Sequence, residues 1–167
     1  ERAFDDDGTG HATSDSSGEQ EKYGGYGFNL PLSANIVSVY VRLDTDRPNT
    51  LAKGDDIKLE VSVDGGITFL SNSITIDISK DPKTYYLDVT SWTTWTLDQI
   101  NNDKIWVRVT HVKDGTLVRD VYLDWIPIEV TYNIRTTTTS TLSESTISLG
   151  ESITCTARVT QTYSSLQ

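Results

Sequence analysis

The chain has 167 residues, 36% of them hydrophobic and 23% charged, enough apolar material for one good core and too little for two large domains. Its 24 acidic residues against 14 basic ones give a formal charge of −10, so the surface repels nucleic-acid backbones and anionic lipid headgroups. A single cysteine, Cys155, excludes an internal disulfide framework, and no apolar run reaches the ~20 residues of a bilayer-spanning helix.

These limits predict neither a nucleic-acid partner nor membrane insertion. The chain starts at Glu1 and contains no methionine, which reads as a processed product or an excised piece. Abundant Ser and Thr with acidic character is common among secreted and cell-surface β proteins, and an extracellular location is the expectation.

The leader ERAFDDDGTGHATSDSSGEQEK is polar, glycine-rich and acidic, a composition that favours disorder. Within it, Ala3-Phe4 and His11-Ala12-Thr13 read as short strand pieces around an Asp5-Asp6-Asp7-Gly8 turn. GYGFNLP (25–31) then leads into ANIVSVYVRLD (34–44), where Val37, Val39, Val41 and Leu43 alternate with Ile36, Ser38, Tyr40 and Arg42. DIKLEVSVDGGITFL places Ile57, Leu59, Val61 and Val63 on one face, and Asp64-Gly65-Gly66 predicts a tight hairpin.

SITIDIS, TYYLDVT, KIWVRVTHV and VYLDWIPIEVTY repeat the alternation, with turn chemistry at Lys80-Asp81-Pro82, Asn101-Asn102-Asp103 and Lys113-Asp114-Gly115. At most one helical turn is expected, near Leu97 to Ile100. Many short alternating strands between turns spell an all-β antiparallel sandwich over residues 1–133. Pro127, which lacks an amide hydrogen, predicts an edge or a bulge in the closing strand.

From residue 134 to 167 the composition shifts to Thr and Ser. Ile147, Leu149, Ile153, Cys155, Ala157 and Val159 alternate with polar residues around a Leu149-Gly150-Glu151-Ser152 turn. This stretch resembles the opening two strands of a bacterial immunoglobulin-like domain, but covers about 30 residues where such a sandwich takes ~100. An isolated hairpin is marginal in water. Either the chain is cut within a longer protein, or the tail completes its sheet elsewhere, on its own sandwich or on a neighbouring copy. A donated strand with Thr137, Thr139, Thr141, Ile147 and Leu149 at the contact would make head-to-tail, non-closing assemblies.

The main body, through GGYGFNLPLSANIVSVYVRLD, IKLEVSVDGGITF, WTTWTLDQINNDKIWVRVT and VYLDWIPIEVTY, resembles a jelly-roll-like module of prokaryotic and viral surface, fibre and adhesin-type proteins. The likeness spans roughly residues 3 to 132 and implies a sandwich fold with a spacer or display role.

Candidate chemistry is sparse. A nucleophile needs a base beside it, and His11 in the leader and His111 at the polar end of a strand are both expected on the surface. Cys155 sits at an inward position, where it acts as a small hydrophobe. One Cys and two separated His make no zinc site. The expectation is therefore a protein without enzymatic activity.

Calcium takes oxygen ligands, and the leader offers Asp5, Asp6, Asp7 and Asp15. Similarity to carbohydrate-binding jelly rolls implies a structural Ca2+ held by Asp6, Asp7 and Asp124 of the closing strand. The other reading of Asp124 is a solvent-facing residue on the strand's polar side. Trp106 and Trp125 read as core or inter-sheet packing, while Trp92, Trp95 and Tyr26 are the candidates for a sugar-stacking platform. The expected function is a structural module of an extracellular assembly whose partners are copies of itself or adjacent domains. The alternative is a polysaccharide- or surface-binding module with calcium.

Overall fold

The computed structural model describes residues 12–45, 55–78, 81–115, 120–134 and 162–166. In chain order the strands are β1 (Ala12–Ser14), β2 (Gln20–Gly24), β3 (Ala34–Thr45), β4 (Asp56–Ser62), β5 (Ser73–Ile76) and β6 (Lys83–Asp88). A short helix, α1 (Leu97–Asn101), precedes β7 (Trp106–Val112), β8 (Val121–Trp125), β9 (Ile128–Ile134) and β10 (Thr162–Leu166). All pairings are antiparallel, and the strands form two sheets packed into a β-sandwich.

The long β3 organises the first sheet. One edge of β3 pairs with β6, and the other pairs with β9 along its first part and with β8 at its end. The far edge of β8 takes β1, and the far edge of β9 takes β10. The second sheet runs β2-β7-β4-β5.

Strand alternation builds the core. Val39, Val41 and Leu43 of β3, with Ile57, Leu59 and Val61 of β4, are at most 1% exposed. Val107, Val121, Ile128 and Val130 close over them. Each such side chain contributes about 1.5–3 kcal/mol of hydrophobic free energy before chain entropy is counted.

The closing strand is broken where Pro127 predicted. Asp44 lies opposite Trp125 and Thr45 opposite Leu123, so Asp124 is the extra residue of a bulge. The Pro127 carbonyl accepts from Arg42 N–H at 3.0 Å, and β9 resumes one residue later. A second slip, between Ile36 and Ser38, turns Val37 outward at 47% exposure, correcting its expected place in the core row.

Three other expectations are corrected. Asp64-Gly65-Gly66 opens a wider loop over 63–72 instead of a tight hairpin: Asp64 accepts from the Ile67 and Thr68 amides and stabilises that loop locally. Trp106 lies on the outer side of the second sheet, flat over the backbone of Gly24, where a Cβ would come within 2.3 Å of the indole. Trp125 faces outward under the Arg42 guanidinium, 4.8 Å from its ring, while Arg42 grips Asp44 through Nε and Nη2 at 3.1 and 2.6 Å.

The helical turn is present. Thr96 and Gln99 form a reciprocal capping box on α1. Among the described residues the C-terminal segment adds β10 to the sandwich itself, paired with β9 from Thr162 opposite Asn133 to Leu166 opposite Glu129.

Candidate functional site

The inward rows of β1, β4 and β7 end in polar residues at the same end of the sandwich. On β7 the row Val107, Val109 continues to His111, and on β4 the row Val61, Leu59, Ile57 continues past the strand to Asp55. On β1, Ala12 packs on the core and Ser14, two residues on, faces the same way. Backbone pairing brings the three together, because Ile57 lies opposite His111 and Gly18 and Glu19 bond the His111 main chain at 2.8 and 2.9 Å.

His111 Nε2 lies 2.9 Å from Asp55 Oδ2, and His111 Nδ1 lies 2.7 Å from Ser14 Oγ. Asp55 has no exposed surface and His111 is 5% exposed, so the expected surface position of His111 is corrected. A carboxylate buried this deeply costs several kcal/mol of desolvation unless it is paired, which the imidazole and the Asp114 amide, 3.1 Å from Oδ1, provide. Ser14 Oγ also stands 2.6 Å from Glu19 Oε2.

Ser14 and His111 line a cavity of about 350 Å³ between the sheets, walled by Ala12, Tyr23, Ile57 and Leu123. Burial, and then the charge of Glu21, pushes the Tyr23 phenol far above its ordinary value, so it remains neutral. The cavity thus has a mixed lining, in which the apolar side chains of Ile57, Val109 and Leu123 and the neutral Tyr23 meet polar groups that include the carboxylates of Glu19 and Glu21.

Of the expected site residues, Trp92, Trp95, Tyr26 and Asp124 fall among the described residues. Trp92 and Trp95 are half-buried and pack on the core, with Trp95 Nε1 donating to the Thr90 and Val89 carbonyls at 3.1 and 3.3 Å. Tyr26 also packs on the core, and burial holds its hydroxyl protonated. Asp124 is half-buried in the bulge, and Asp15 is exposed. Asp5, Asp6, Asp7 and His11 lie outside the described residues, as do Thr137, Thr139, Thr141, Ile147, Leu149 and Cys155. A different acidic group, Asp56, Asp77 and Asp114, brings carboxylate oxygens within 4.8 Å of one another.

Of the Ser14–His111–Asp55 row, sequence reasoning weighs His111 alone and places it on the surface; Ser14 and Asp55 are not singled out. The available signal was alternation: both Asp55 and His111 sit two residues beyond the last obvious apolar member of an inward row. No helix among the described residues is long and apolar enough to cross a membrane. No family model, curated protein or solved structure matches this chain.

Proposed function

We propose that the chain is a structural module of an extracellular assembly, joined to its neighbours by exchange of an edge strand. The observation that carries this reading is β10. Five residues from the far end of the chain occupy the outer edge of β9, while residues 135–161 intervene between the two strands in sequence. Edge pairing of this kind relies on main-chain hydrogen bonds, which the same strand of another copy supplies equally well. Passed head to tail from copy to copy, such an exchange propagates instead of closing.

The polysaccharide reading draws less support, because Trp92, Trp95 and Tyr26 lean on the core. Register pairs make the assembly reading testable. Thr131→Cys and Ser164→Cys, introduced together in a Cys155→Ser background, place cysteines opposite each other on β9 and β10. Under oxidation at high protein concentration, strand exchange yields a ladder of reducible oligomers. A product that stays monomeric at every concentration, with the cross-link wholly within one chain, refutes the assembly.

A further inference from the structure

We infer that Ser14, His111 and Asp55 form a nucleophilic site that hydrolyses short, uncharged carboxylic esters. As a carboxylate Asp55 accepts at Oδ2, and its bond to Nε2 selects the imidazole tautomer that carries its proton on Nε2 and its lone pair on Nδ1. That lone pair faces Ser14 Oγ at 2.7 Å, within reach for proton abstraction. Acid, base and nucleophile stand in the order of a hydrolytic triad with the two ring nitrogens exchanged; such triads are defined by geometry and role, not by order along the chain.

Main-chain bonds support the array. The Asp114 amide holds the second oxygen of Asp55, and the Gly18 and Glu19 backbone clamps the main chain of His111. Orientation of base and carboxylate is therefore built into the sheet and its adjoining loops. Ser14, by contrast, is half-exposed at the cavity wall, where a substrate can reach it.

The cavity sets the substrate class. Its volume of about 350 Å³ lies at the small end of ligand pockets, which run from about 300 to 1,000 Å³. Its apolar lining side chains, Ile57, Val109, Val121 and Leu123 among them, suit a short acyl chain, and the carboxylates of Glu19 and Glu21 in the same lining oppose anionic esters. Ser14 has one proton, which serves Nδ1 or Glu19 and not both. Glu19 is exposed, so its side chain swings aside when an ester carbonyl takes its place.

In the first half-reaction Ser14 Oγ bonds to the ester carbonyl carbon while its proton passes to His111 Nδ1. The bond to the leaving alcohol then breaks, and the alcohol oxygen takes that proton. In the second half, water attacks the acyl carbon and gives a proton to Nδ1. The acyl–Oγ bond breaks, Oγ recovers the proton, and the carboxylic acid departs.

The experiment uses the full chain with a fluorophosphonate probe and with p-nitrophenyl butyrate. The expected result is one phosphonyl group on Ser14, found by peptide mass mapping, and a butyrate hydrolysis rate that falls at least about 100-fold in Ser14→Ala. The octanoate ester should react more slowly than the butyrate. Labelling the unaltered chain needs no variant, so it decides the matter even where a substitution costs stability. No adduct on Ser14, adducts spread evenly over other serines, or hydrolysis unchanged in Ser14→Ala overturns the site. An octanoate rate equal to the butyrate rate overturns the cavity as the acyl pocket.

Discussion

The two ends of the sandwich use their polar side chains differently. At the end where β7 begins, side chains satisfy main chain: Asn101 both donates to the Leu30 carbonyl and accepts from its amide at 2.8 Å, and Asp103 accepts from Gly27 N–H at 2.9 Å. At the end where β7 finishes, the Asp114 amide bonds Asp55 in the same way, and the side chains also bond one another, from Asp55 through His111 to Ser14. The first arrangement fixes loops. The second strings a carboxylate, an imidazole and a hydroxyl in a row, a costlier way to fasten loops and one suited to moving protons.

This contrast breaks most sharply at His111. His111→Ala leaves the Asp55 carboxylate buried without its imidazole and should cost about 3–5 kcal/mol in chemical denaturation. Adding Asp55→Ala should cost little more, because the stranded charge leaves with it. If the two losses simply add, Asp55 and His111 are not energetically coupled and the array is incidental.

The opposite end is sharpened by smaller changes. Gly24→Ala drives a methyl into the Trp106 indole, which is hemmed in over the strand, and should destabilise by about 1–3 kcal/mol. Asn101→Ala should cost a similar or smaller amount, about 1–3 kcal/mol, by leaving the amide and carbonyl of buried Leu30 unmatched. Both effects should appear as shifts in unfolding midpoint with no change in ester hydrolysis. A change in hydrolysis would mean that the two ends are coupled.

The sandwich was legible in the sequence because its signal is local. A period of two over Val39, Val41 and Leu43, or over Ile57, Leu59 and Val61, states which face is buried. Pro127 likewise announced its break through a missing donor. Bulges were not legible: the slips that expel Val37 and insert Asp124 depend on what the partner strand offers opposite. Trp106 and Trp125 misled for a related reason, since a large aromatic covers a glycine or stacks under an arginine on an outer face as readily as it fills a core. The Ser14–His111–Asp55 row was hidden because its members are 41 and 97 positions apart from Ser14 and meet only through cross-sheet register and packing between sheets. Extending the inward rows by one more step was the clue, and polar identity concealed it.

The smallest expected effect tests whether the first end is held by local loop chemistry alone. Asp64, at the tip of the loop after β4, accepts from the Thr68 and Ser62 hydroxyls and from the Thr68 and Ile67 amides, which pull its carboxyl down to about 2 from 3.8. A folded value below the unfolded one means that this stabilisation is fully present above pH 3.8 and is lost as pH falls through about 2. Because Asp64 is exposed, solvent screens much of it. Asp64→Asn should therefore lower the thermal midpoint slightly near pH 5 and flatten its decline between about pH 4 and 2, while hydrogen exchange quickens only at Ile67 and Thr68. If the melting profiles of the two proteins instead run parallel through that window, the hydrogen bonds to Asp64 are not held in solution, and the loop after β4 lacks its local side-chain-to-backbone bracing.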